Sequence, residues 1–136
     1  MEGSVRVRVR YCECDPMGYV HHSVHPVWME IARTETLRAS GVSYKHMESQ
    51  GVFLVVAHLS IDYKRPARYD DEALIKCRVT GTGRAKLEHA YELWRNVGED
   101  GVGGELFATA RTVLACVGAD GRPRPLPDWL TAQRHG

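Results

Sequence analysis

"VHPVWMEIARTETLRA", residues 24–39, is the one long stretch of this chain whose apolar residues recur at helical spacing. Val24, Val27, Trp28, Ile31 and Ala32 cluster in one stripe, which predicts a helix with a single buried face. Ser23 fits the N-cap, Pro26 fits a first turn where its missing N–H costs nothing, and Gly41 fits the C-terminal stop. Trp28 near the start and the small Ala32 predict close packing on a sheet. Glu35 falls near the middle of the stripe, where a carboxylate needs a partner; a structural ion pair is its default reading.

On either side of this helix the period drops to two. Residues 4–11 place Val5, Val7, Val9 and Tyr11 on one face and Arg6, Arg8 and Arg10 on the other, a half-buried strand. Were that extended phase to persist, Asp15 would share a side with Val9 and Tyr11. Residues 43–49 predict a short helical turn. Residues 53–63 alternate again, 73–80, 87–97 and 105–117 read as further strands, and Gly-rich turns at 81–83 and 98–101 join these three into an antiparallel meander that 118–121 stops. The Pro-rich tail "RPRPLPDWL" predicts a surface wrap anchored by Trp129 and Leu130. One apolar helix and one long sheet can bury each other's faces, so the expected class is α+β, with the sheet wrapped around the helix. The sheet's outer face and edges would stay uncovered, which predicts dimers or higher oligomers.

Bulk composition bounds the function classes. A length of 136 residues allows one domain, here 1–136, and one core. A formal charge of +1 gives no global reason to expect nucleic acid, and the arginines of residues 6–10 have no aromatic interleaving, so a solvated strand face is the simpler reading. Cys12, Cys14, Cys77 and Cys116 form no CxxC and no zinc-like spacing; free thiols in a reducing cytoplasm account for them. Residues 1–11 carry no apolar signal region and no stretch is apolar enough to span a membrane, so the expected location is cytoplasmic.

The chemistry concentrates in "YCECDPMGYVHHS", residues 11–23. Asp15 stands beside Pro16 and Gly18 just upstream of a helix start, where free N–H groups can polarise a carbonyl. A carboxylate next to such donors suits acyl transfer, as nucleophile or general base. An Asp that merely caps a turn fits the same residues. His21, His22 and His25 could share a helical face around a metal, but Ser23 and Pro26 put them at a helix boundary and no HExxH is present. His46, His58, His89 and His135 lack ligand spacing and read as surface or satisfied core residues.

These words resemble the hotdog-fold acyl-CoA thioesterases of the 4-hydroxybenzoyl-CoA thioesterase type, including the Tol-Pal-associated acyl-CoA thioester hydrolases. The resemblance rests on "YCECDPMGYVHHS", "WMEIARTETLRASG", "FLVVAHLSIDYKRPARYDDEALIKC" and "PRPLPDWL", and spans nearly the whole chain. It implies hydrolysis of an acyl-CoA to free acid and CoA, with no metal or other cofactor, by a homodimer or homotetramer. It places the catalytic carboxylate at Asp15, puts the position of the carbonyl-polarising N–H at His22, whose side chain is also implicated, and matches Tyr11 to a tyrosine implicated in some bacterial members. Gly18 permits the close backbone turn. CoA phosphates are assigned first to Arg84 and Lys86, with Lys64 and Arg65 behind them. His21 departs from the aromatic or aliphatic residue of many relatives, which implies a different acyl pocket. Two other readings share the fold: a non-catalytic acyl-CoA or acyl-carrier binding module, which has no need of Asp15, and a dehydratase, which Asp15's place before the helix fits less well.

Overall fold

The computed structural model describes residues 1–131. Its elements are β1 (Glu2–Arg8), α1 (His25–Ala39), α2 (Tyr44–Ser49), β2 (Phe53–Tyr63), β3 (Glu72–Thr82), β4 (Lys86–Arg95), β5 (Glu105–Val117) and α3 (Asp128–Thr131). The strands form one antiparallel sheet in the order β1-β3-β4-β5-β2. β3, β4 and β5 are the expected meander, and the two strands that flank α1 in sequence take opposite edges. The chain therefore crosses the whole sheet between β1 and β2, and α1 is the segment that makes the crossing, with its buried side on the sheet.

That buried side is His25, Trp28, Met29, Ala32, Arg33, Thr36 and Leu37. It differs from the stripe expected from the sequence: Val27 and Ile31 are exposed. The apolar arc of α1 is wider than the strip the sheet can cover, and the sheet takes the Trp28–Met29–Ala32 side. Glu35 is also outside the buried stripe, paired at 3.6 Å with Arg38 one turn on. Ser23 does not cap α1. The cap residue is Val24, without a side-chain bond, while Ser23 is engaged with His21. Close approach of α1 to β1 requires Gly3, since a Cβ there would lie 2.6 Å from Thr36 Oγ1.

The core has two ends. Trp28, Met29 and Ala32 pack on Val9, Ile75, Leu93, Phe107 and Ala108 at the start of α1. Leu37 packs with Met47, Leu87, Leu114, Leu126 and Leu130 at its far end. The tail is thus anchored by Leu126 and Leu130, with Trp129 only partly buried against them. Between the two ends lies a polar seam. The Arg33 guanidinium, 8% exposed, donates to the Tyr91 hydroxyl at 3.1 Å, and that hydroxyl shares a 2.8 Å hydrogen bond with Thr112. His89 stacks on Tyr91 with its Nδ1 buried and unpartnered, so it is not the satisfied core histidine expected. His46 and His58 are exposed, and His135 lies outside the described residues.

β2 is an edge strand, and its 53–63 alternation does not produce one buried face. Val55, Val56, Leu59 and Tyr63 are all exposed, and a bulge between Val56 and His58 breaks the phase. Among the described residues no helix is long and apolar enough to cross a membrane, and all four cysteines are free thiols.

Candidate active site

The extended phase that would have carried Tyr11 and Asp15 to one face stops at Arg10, two residues past the end of β1. Tyr11–Glu13 form a single 3-10 turn, because the Glu13 carboxylate folds back to accept the Arg10 N–H at 2.8 Å. The turn reorients the side chains around it. Tyr11 is 82% exposed and sets its ring edge-on to Tyr69 at 5.5 Å, and no hydrogen bond joins its hydroxyl to Asp15 among the described residues. Glu13 turns inward instead, to 7% exposure, where the Trp28 indole N–H of α1 donates to it at 3.1 Å.

Beyond the turn the chain doubles back as a small hairpin. Cys14 bridges Val20, the His21 N–H donates to the Glu13 carbonyl at 2.8 Å, and the Asp15 N–H donates to the Tyr19 carbonyl at 2.7 Å. Asp15 sits at the neck of this loop, half-buried. Its Oδ1 accepts the N–H groups of Met17 at 2.9 Å and Tyr19 at 3.1 Å, while Oδ2 has no hydrogen bond among the described residues. The backbone thereby holds one oxygen and leaves the other open. Gly18 takes φ +78°, the left-handed conformation that lets the loop reverse in so few residues. The hairpin is tied to the 64–71 segment by Val20 N–H to the Ala67 carbonyl at 2.8 Å, and by the Arg68 guanidinium lying over the Tyr19 ring.

The three neighbouring histidines part company. The His21 and His22 rings are exposed and lie 4.2 Å apart, with His21 Nδ1 bonded to Ser23. His25 is buried among Trp28, Tyr63 and Phe107, its Nδ1 unpartnered. Burial pulls the His25 pKa down, against the raising effect of the His22 and His21 carbonyls, so its ring is neutral at neutral pH. Among the described residues no three His, Cys, Asp or Glu side chains gather in a way that could hold a metal. α1 begins at His25, so His22 precedes the first helical turn and the first helical N–H belongs to His25. The Tyr63 hydroxyl donates to the His22 carbonyl at 2.7 Å and pins this approach to the end of β2.

The four basic residues assigned to CoA do not come together. Lys64 and Arg65 follow Tyr63 at the Asp15 end, with Arg65 paired to Glu105 at 2.9 Å. Arg84 and Lys86 flank the β3–β4 turn, where the Arg84 carbonyl accepts the Leu126 N–H beside the far core. The length of β4, about 30 Å at ~3.3 Å per residue, separates them from the Asp15 end. The two basic pairs thus stand at opposite ends of the sheet. Glu13, Trp28 and Tyr63 are absent from the sequence-based set, and His25 enters it only as a candidate metal ligand. Only Trp28 and Glu13 left a signal, since a buried indole N–H needs an acceptor.

Comparison with known proteins decides the family. Residues 17–102 match the Thioesterase superfamily. The chain belongs to that superfamily. It is a thioester hydrolase on the hotdog fold. The matched stretch begins two residues past Asp15. The chain is 32% identical over 131 residues to YneP of Bacillus subtilis, whose name as an acyl-CoA thioesterase is provisional; this covers 93% of the chain and 91% of that protein. It is 30% identical over 128 residues to the acyl-CoA thioester hydrolase YbgC of Escherichia coli O6:H1, again 93% and 91%. A Thermus thermophilus thioesterase solved with coenzyme A and zinc superposes with a TM-score of 0.80 at 32% identity, covering 98% of this chain and 97% of that one.

Proposed function

We propose that this superfamily member hydrolyses an acyl-CoA to free acid and CoA, with Asp15 as the acting carboxylate. The observation that carries the reading is the asymmetry of Asp15: Oδ1 is held by two backbone N–H groups and Oδ2 is unengaged. Oδ1 does what a turn-capping carboxylate does, and the open Oδ2 just ahead of α1 is what a carboxylate acting on substrate needs in addition. The thioester carbonyl would sit toward the α1 N-terminus, where the His25 N–H opens the helix and the dipole favours developing negative charge. Water then adds to the carbonyl carbon, the C–S bond breaks, and CoA leaves as the thiol. Asp15 either takes the proton from that water or attacks first, forming a mixed anhydride that water cleaves.

His22 and Tyr11 keep narrower parts. His22 contributes its place in the approach to α1, held by Tyr63, and an exposed ring that can meet substrate. Tyr11, edge-on to Tyr69, can contact only what lies over the outer mouth of the loop. Of the cations, Lys64 shares the Asp15 end and is unpaired among the described residues, whereas Arg84 and Lys86, at the far end of β4, would serve the CoA phosphates of a second copy. Such an oligomer, dimer or tetramer, also accounts for the exposed Val55, Val56 and Leu59 on an edge strand and for Val27 and Ile31 on α1. Free thiols, with two of the four cysteines buried, suit a cytoplasmic setting.

The test is thiol release from a panel of short, long and aromatic acyl-CoAs by wild type and Asp15→Asn. The expected result is activity on at least one ester that falls by about 10²–10⁴ in the variant. Binding without thiol release would leave a binding module, and an Asp15→Asn variant as active as wild type would remove Asp15 from the reaction. Labelled water oxygen appearing in Asp15 after one turnover would select the anhydride route.

A further inference from the structure

Glu13 is a buried carboxylate that hydrolysis at Asp15 does not use. Its Oε1 accepts the Arg10 N–H at 2.8 Å, and its Oε2 accepts Trp28 Nε1 at 3.1 Å and Arg10 Nη2 at 3.4 Å. Burial by itself would raise its pKa, but the hydrogen bonds from Arg10 and Trp28 together outweigh burial and leave the group below the ordinary carboxylate range. Its main chain is committed too, because the Glu13 carbonyl accepts the His21 N–H that closes the Asp15 hairpin. Among the described residues, the Glu13–Trp28 bond is the only side-chain hydrogen bond that joins this hairpin directly to α1.

We propose that Glu13 is a positioning residue for Asp15. It clamps the foot of the hairpin to Trp28 in the first turn of α1, and so sets where the Asp15 carboxylate stands relative to the helix N-terminus. The physical case is one of geometry. Asp15 is two residues from Glu13 and held to its own loop by backbone bonds alone, so the loop moves as a unit and its placement depends on what fastens the unit. Trp28 is a rigid, fully buried ring between Phe107 and His25, so a bond to its Nε1 fixes the loop against the core and not against solvent. An acyl-transfer site loses rate steeply when the attacking group is displaced by an ångström. The charge on Glu13 matters because Arg10 and Trp28 both present donors. A glutamine can accept on one atom only, and its NH₂ would face a donor.

The inference rests on the thioesterase reading. The test is steady-state thiol release by wild type, Glu13→Gln, Trp28→Phe, Asp15→Asn and the Asp15→Asn/Glu13→Gln double variant, each checked for cooperative melting. Expected for Glu13→Gln is a kcat lower by about ten- to a hundredfold with KM within about threefold. In the Asp15→Asn background the same change should cost less than about twofold, because a residue acting through Asp15 has nothing left to position. Trp28→Phe removes the donor and keeps an aromatic ring, and should show the same split; it carries the decision if Glu13→Gln fails to fold. Equal losses with and without Asp15, or an unchanged kcat in both clamp variants, would overturn the positioning role while leaving the thioesterase intact. A wild type that releases no thiol from any ester would overturn both.

Discussion

The Tyr63 hydroxyl donates to the His22 carbonyl at 2.7 Å, so the last residue of an edge strand holds the segment between Asp15 and α1. Its ring also meets His25 edge-on at 4.8 Å. Tyr63→Phe keeps the ring and deletes the bond. Urea unfolding should show a loss of about 1 kcal/mol, and thiol release should show kcat/KM lower by about three- to tenfold. A variant unchanged in both would mean that the His22 segment is held without β2.

Gly3 and Thr36 test the closeness of α1 to the sheet. Gly3→Ala puts a methyl 2.6 Å from Thr36 Oγ1 and should cost about 1–3 kcal/mol. In a Thr36→Ala background the same change should cost at least ~0.5 kcal/mol less. Additive losses in chemical denaturation would refute the contact.

His89 makes stability depend on pH. Burial, with Arg33 nearby, drives its folded pKa down to about 3 from 6.5. The unfolded chain therefore takes up a proton below about pH 6.5 that the folded chain refuses until about pH 3. Stability is fully present above that window and is lost as pH falls through it, by up to about 1.4 kcal/mol per unit. His25, whose folded pKa is also lowered, adds to the same trend. His89→Leu should flatten the loss between pH 7.5 and 5.5 by about 1 kcal/mol. Parallel wild-type and variant curves would show that His89 charges freely in the native state.

Of the four cations, Lys64 stands at the Asp15 end and has no ion-pair partner among the described residues. Lys64→Ala should raise KM for CoA esters by about two- to fivefold, the worth of an exposed charge pair, and leave the KM of the matching acyl-pantetheine, which lacks the phosphates, unchanged. Equal effects on both substrates would assign Lys64 to something other than phosphate.

Much of the fold was legible along the chain. The meander of β3, β4 and β5 follows from alternation and Gly-rich turns, and α1 from the change of period at residue 24. The errors share a cause. Alternation predicts a face only while the backbone stays extended, and Glu13 ends that at Arg10, which sends Tyr11 outward and separates it from Asp15. The helical stripe was wider than the surface available to cover it, so Val27 and Ile31 were counted inside. Arg84 and Lys86 read as basic in one dimension, and only the antiparallel course of β4 shows that they stand at the opposite end of the sheet from the Asp15 of the same chain.

The sequence by itself determined the class of the molecule, its one helix against one antiparallel sheet, and the family words around Asp15. Those features depend on local spacing and residue type, which a chain carries without folding. The tertiary structure alone decided which oxygen of Asp15 is held, that Glu13 is bound to Trp28, that Tyr63 reaches His22, and that a buried arginine is satisfied by Tyr91. Each of these joins residues that only the crossing of α1 over the sheet, or the reversal at Gly18, brings within hydrogen-bond distance.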